Sequence, residues 1–221
     1  MEYAGKSKDI RRSRIIKAAE NLIRRDNSVS FSMNELAKMA GLSYMTTYNL
    51  IGNKGSVLYT LLNRCIDEIV RISPAIEIED DVLDRLLTVA DSAADFYAAD
   101  PVFFQPLLRF LFGVQDDVHR GAFMNRGWQY WTNIATLLKD SGYIQSNIRP
   151  SDFGRYMNTF FAGALFLWSH GSLDRHAFRT QIKQGMAIGL LSFEVAEWRN
   201  RLMAEIAKTY DWTASDSRSA R

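Results

Sequence analysis

Apolar residues recur along this chain at steps of three and four: Ile15, Ala18, Ala19 and Leu22, then Val57, Leu58, Leu61, Leu62, Cys65 and Ile69. That is the period of a helix with one buried face. No stretch alternates strictly over several residues, and only four prolines, at 74, 101, 106 and 150, interrupt the pattern. The periodicity predicts helices over 8–25, 33–40, 44–51, 54–73, 81–99, 101–113, 117–140, 151–170 and 175–208. Several ends carry matching chemistry. Ser32 and Glu35 form a capping box, in which a hydroxyl accepts a backbone N–H and the carboxylate reaches back. Asp100 stands before Pro101, Ser151 or Asp152 follows Pro150, and Asp174 follows Gly171, so each suits a helix start. Gly142 suits a helix stop. The polar run 213–221 reads as a flexible tail. The expected fold class is all-α.

Composition narrows the function. The longest apolar run, Phe160 to Trp168, is nine residues, against roughly 20 for a membrane span. The charged N-terminus does not resemble a secretory signal. The one cysteine, Cys65, cannot pair within the chain and sits among Leu61, Leu62, Ile66 and Ile69. A buried thiol in a cytoplasmic protein is the expectation. No phosphate-binding glycine loop, zinc motif or nucleophile elbow is present. His119, His170 and His176 lack metal-ligand spacing, and Asp116-Asp117-x-His119 reads as a solvated acidic turn. Catalytic residues, a metal and a cofactor are therefore not expected. Charge is uneven: residues 1–55 carry ten Lys/Arg against five Asp/Glu, whereas the remainder carries 17 against 20. A basic head on a mildly acidic body points one end at a polyanion.

The sharpest pattern lies in that head, in FSMNELAKMAGLSYMTTYNLIGNK from Phe31 to Lys54. A helix burying Met33, Leu36, Ala37 and Ala40 runs into Gly41, which tolerates the positive φ of a sharp turn. Leu42 then plugs the angle and Ser43 caps a short helix that is polar for a buried one: Tyr44, Thr46, Thr47, Tyr48, Asn49. Helix, glycine turn, helix is the arrangement that places a second helix in a major groove. The order and spacing of Ile16, Ala18-Ala19, Ser32-Met33, Leu36-Ala37, Ala40-Gly41-Leu42-Ser43, Thr46-Thr47-Tyr48 and Lys54 resemble the N-terminal signature of the TetR family of transcriptional regulators. The resemblance covers residue 14 to about residue 62. Thr47 stands where that family usually has an aliphatic residue, Ile51 where it has an aromatic, and Gly55 where it has an acid.

The resemblance implies a three-helix DNA-binding head over 1–55 and a helical ligand-binding and dimerisation body over 56–212. It implies phosphate contacts from Thr46, Tyr48 and Lys54, with Ser32 at a helix N-terminus. Tyr44, Met45 and Asn49 are candidates for base edges, with packing the other reading for Met45. Ser43 and Thr47 complete the candidate set. Arg11, Arg12 and Arg14 stand either on the duplex backbone or in solvent. In the aromatic body, Phe96, Phe103, Phe104, Phe123, Trp128, Trp131 and Phe161 are candidates for an apolar effector pocket, with Gln105, Arg109 and Asn158 as polar contacts; plain core packing is the other reading for the aromatics, and a surface or structural role for the polar three. Small and apolar residues on the last two long helices imply a four-helix dimer interface: Phe160, Gly163, Ala164, Trp168, Ile182, Gly185, Met186, Gly189 and Phe193. An intramolecular pair is the other reading. The implied function is a homodimer that binds a palindromic operator, most often as a repressor released by a hydrophobic or aromatic small molecule. The alternative is a helical hydrophobic-ligand-binding protein whose head is vestigial.

Overall fold

The computed structural model describes residues 2–73, 81–113, 117–144, 148–192 and 198–207. The elements it describes are ten helices: α1 (Glu2–Asp26), α2 (Met33–Ala40), α3 (Tyr44–Ile51), α4 (Lys54–Ile72), α5 (Val82–Ala98), α6 (Pro101–Gly113), α7 (Asp117–Asp140), α8 (Pro150–Ser169), α9 (Arg175–Ser192) and α10 (Arg199–Ile206). The fold is all-α, with a helix-turn-helix at its N-terminal end. Helix α1 begins at Glu2 rather than near residue 8. Residues 7–10 are exposed, so no buried apolar period marks the helix there.

The chain divides into two compact units, one of residues 1–72 with 96–127 and the other of 73–95 with 128–221. In the first, Ile15, Ile16, Ala19, Leu22 and Ile23 of α1 are at most 1% exposed. Helix α1 packs on α2, α3, α4 and α6. Asp100 opens α6, its carboxylate accepting from Phe103 N and from Arg24 Nε. Arg24 also lies over the Phe103 ring, 4.5 Å from its centroid. Cys65 is buried and donates to Leu61 O; burial pushes its thiol up to about 12. So high a value leaves no thiolate at neutral pH, and the residue is inert packing.

In the second unit α8 packs on α9, and α9 on α10. Trp168 stacks on the fully buried Phe178, with ring centroids 5.2 Å apart. Asp174 starts α9, accepting from Ala177 N at 2.8 Å. Two expectations are corrected. Helix α8 starts at Pro150, with Arg149 as an N-cap that makes no side-chain cap bond, while Asp152 pairs with Arg149 at 2.8 Å. The helix expected over 175–208 is described as two helices packed on each other, α9 and α10; residues 193–197 and 208 lie outside the described residues. Apolar periodicity runs through Leu190 and Leu202 with no glycine or proline between, so nothing in the pattern signals their separation. Trp198 stands before α10, 5% exposed, and stacks on Tyr143.

Charged pairs tie α5 to α9 and α10. Arg179 and Lys183 both reach Asp91, Lys183 also faces Glu205, and Arg201 holds Asp81 and Asp84. Burial acts against ionisation of Asp91, but the hydrogen bonds and charges of Arg179 and Lys183 outweigh it and hold the carboxyl below its usual range.

Helices α7 and α8 meet where Gly154 faces the backbone of Thr132. The buried Thr132 Oγ1 has no hydrogen-bond partner among the described residues. A buried hydroxyl without a partner is a net cost, so an apolar isostere should relieve it. Thr132→Val is expected to leave stability unchanged or raise it by up to about 1 kcal/mol, read from urea unfolding. A loss of that size would show that the hydroxyl is satisfied after all.

Candidate nucleic-acid interface

The helix-turn-helix is set by its caps. Ser32 Oγ accepts from Glu35 N, and Ser32 N donates to Glu35 Oε2, both at 3.1 Å. The Ser32 N–H bond holds the Glu35 carboxyl below its usual range despite partial desolvation, and Arg25 adds to the effect. At the other end of α2, Gly41 takes φ +64°, and Leu42 N closes the turn onto Ala37 O at 2.9 Å. The place a Cβ would occupy at Gly41 is 2.6 Å from Arg14 Nη2, whose guanidinium donates to Gly41 O. The glycine therefore serves both the turn and the seating of Arg14. Neighbouring Ser43 caps α3, accepting from Thr46 N at 3.1 Å and bonding Thr46 Oγ1 at 2.8 Å.

These bonds fix which residues of α3 face outward. Thr47 is 0% exposed, Leu50 and Ile51 9% each. Thr47 Oγ1 donates to Ser43 O at 3.0 Å, so Thr47 is withdrawn from the DNA-contact set. The position that departs from the aliphatic pattern still packs, its hydroxyl satisfied by the turn behind it. Ile51 fills the core where an aromatic was the usual choice. Met33, expected to be buried, is only half so. On the opposite face, Tyr44 is 46%, Met45 62% and Tyr48 47% exposed, and Asn49 is exposed beside them. Tyr44 and Tyr48 lie in near-parallel planes, with ring centroids 6.3 Å apart.

Lys54 stands at the first position of α4, its ammonium 5.1 Å from the Phe31 ring centroid. It makes no ion pair among the described residues, and desolvation lowers its pKa. A half-buried cation on an aromatic face, without a carboxylate, gains from an incoming anion. Asn53 starts α4, its Oδ1 accepting from Ser56 N at 2.9 Å. That cap and the Phe31 platform were missed in the sequence, although Asn-x-x-Ser and an aromatic next to Ser32 are readable signals.

The candidate pocket residues divide between the units. Phe96, Phe103, Phe104, Gln105, Arg109 and Phe123 are in the first, and Trp128, Trp131, Asn158 and Phe161 in the second. Phe103, Phe104 and Phe123 are buried, and Phe104 packs against Phe96, Tyr97 and Phe103 with centroids 4.9–5.2 Å apart. Trp131 is 4% exposed and faces Phe161. Trp128 donates from Nε1 to Ser151 O, with Arg155 over its ring. Arg109 is exposed, and Gln105 and Asn158 are half-buried.

Of the candidate dimer residues, Ala164, Trp168, Ile182, Gly185, Met186 and Gly189 are already buried within one chain. The Phe160 ring covers Gly185, and the Tyr156 ring covers Gly189; Tyr156 Oη donates to Gly185 O at 3.2 Å. Phe160 is half-buried and Gly163 exposed, and Phe193 lies outside the described residues. The surface left open is another row: Tyr156 at 37%, Phe166 at 44% and Ile188 at 46% exposed. Beside it Asp152, Arg155, Tyr156, Thr159 and Phe160 border a hollow of about 570 Å³. The steps 156, 159, 163, 166 on α8 could have marked this face in the sequence.

No model of a known protein family matches the sequence, and no curated protein matches it. Solved structures do match. FadR of Thermus thermophilus, a TetR-family transcriptional repressor in complex with lauroyl-CoA, superposes with TM-score 0.66 at 19% identity over 83% of this chain and 95% of that one. A putative TetR-family regulator from Syntrophomonas wolfei gives 0.68 at 13% identity over 82% and 96%. A TetR-family regulator from Streptomyces coelicolor gives 0.64 at 21% identity over 96% and 99%. The chain has the TetR fold. In that fold the helix-turn-helix is α2 and α3, and α4 to α10 lie C-terminal to it.

Proposed function

We propose that this TetR-fold chain is a DNA-binding transcriptional regulator that reads an operator through the outer face of α3. One observation carries the reading. The caps and buried Thr47, Leu50 and Ile51 hold α3 rigidly, while Tyr44, Met45, Tyr48 and Asn49 are presented to solvent together. Lys54 and Thr46 flank that face as phosphate partners, and the basic excess of residues 1–55 supplies the long-range attraction. The chain acts as a homodimer, in which the open row Tyr156, Phe166 and Ile188 meets its symmetry mate. A two-fold pair of reading helices requires a palindromic site. Repression is the expected outcome, as for the FadR neighbour, and lauroyl-CoA bound to that protein supports an apolar effector here. Effector binding would favour a state in which the two heads no longer match their half-sites.

Selection of bound duplexes from a random pool by the full chain tests this. The expected product is one palindromic sequence, bound with two chains per duplex. Lys54→Met should then weaken binding to all duplexes by a similar factor and lower the salt slope by about one. An unselected pool, or a site bound by one chain, would contradict the reading.

A further inference from the structure

Helix α3, Tyr-Met-Thr-Thr-Tyr-Asn-Leu-Ile, has neither a basic nor an acidic residue. Guanine is most often read by Arg or Lys donating to O6 and N7, and cytosine by a carboxylate accepting from N4. Neither tool is present on this helix. Beyond the helix, Lys54 sits over the Phe31 ring as the phosphate partner proposed above, and Arg14 is bonded to Gly41 O.

What α3 does present is apolar surface and one amide. Its buried side is Thr47, Leu50 and Ile51. The helical period of 3.6 puts Met45 and Asn49, one turn apart, at the centre of the opposite face. Tyr44 and Tyr48 form a stacked pair on one flank. Thr46 is on the other, its hydroxyl tied to Ser43. Met45 is 62% exposed with exposed tyrosines on its flank, and clustered exposed apolar side chains mark a surface meant for a partner. The thymine C5-methyl is the apolar group that base edges offer in the major groove, and the Asn side chain pairs in two-point fashion with adenine N6 and N7.

We propose that this face selects an A·T-rich half-site, with Asn49 bonding an adenine edge and Met45 packing on a thymine methyl. The inference rests on the regulator reading above and adds to it which bases are read.

The test uses the full chain on the duplex recovered by selection, followed by fluorescence anisotropy. Replacing the contacted thymine by uracil removes only the methyl and should weaken binding about fourfold, the equivalent of one buried methyl. Met45→Ala should bind the thymine and uracil duplexes equally. Exchanging the contacted A·T pair for G·C should cost the wild type at least about fivefold, and Asn49→Ala should no longer distinguish the two. Both residues are exposed, so neither substitution threatens the fold. Recovery of a palindrome with G·C-centred half-sites would overturn the inference while leaving the regulator reading intact. So would wild-type indifference to uracil, or undiminished uracil sensitivity in Met45→Ala. Failure to recover any preferred sequence would overturn both.

Discussion

Leu36→Ala is expected to destabilise the protein by about 3–5 kcal/mol, the upper range for emptying a fully buried leucine site. Leu36 is 0% exposed, and its helix packs on both α1 and α3, so the cavity falls inside the head. The surrounding helices have little freedom to collapse. The ends of α2 are held by the Ser32–Glu35 box and by the Gly41 turn. For a chain of this size each kcal/mol lowers the unfolding midpoint by about 2–4 °C. A thermal scan should therefore show a fall of roughly 10 °C, while the exposed neighbour substitution Lys38→Ala stays within about 0.5 kcal/mol. Operator affinity should fall with it, because α2 sets the angle at which α3 is presented. A Leu36→Ala protein as stable as the wild type would mean that the head core does not depend on this contact.

Gly154→Ala is the second large effect. A Cβ at Gly154 would stand 2.7 Å from Thr132 N and 2.9 Å from Thr132 Cα. These are backbone atoms of α7, so relief requires moving a helix rather than turning a side chain. Overpacking of that kind costs about 1–3 kcal/mol. Gly121, also on α7, has nothing within 4 Å of its Cβ position. Gly121→Ala should therefore stabilise by about 0.5–1 kcal/mol through helix propensity and a less flexible unfolded chain. Opposite signs for two Gly→Ala changes, read by chemical denaturation, would confirm close α7–α8 approach. Equal effects would refute it.

These two sites differ in how visible they are in the sequence. Leu36 stands out because α2 follows a helical period between a capping box and a glycine. The same punctuation located α3 and the start of α6 to the residue. Gly154 looks like any small residue on α8, and only the tertiary position of Thr132 gives it meaning. The interleaving of 96–127 with the N-terminal unit is hidden for the same reason, since it depends on pairings between residues distant in the chain. The separation of α9 from α10 leaves no trace, because no glycine or proline stands between Leu190 and Leu202. On α8 and α9 the small residues were legible, but not their use. Gly185 and Gly189 accommodate the Phe160 and Tyr156 rings of the same chain. Thr47 was ambiguous by type, since a threonine serves a buried turn as well as a phosphate. Its burial, with a bond to Ser43 O, decides between them.

As proposed, the outer face of α3 binds DNA by sequence, with the basic head supplying the attraction. The most direct measurement is the affinity of the full chain for its selected palindrome and for a scrambled duplex of the same composition, each across a salt series. The logarithm of each affinity should fall linearly with the logarithm of salt concentration. The palindrome should remain tighter by at least about a thousandfold at physiological salt. Equal affinities at every salt concentration, or no salt-dependent binding to either duplex, would contradict it.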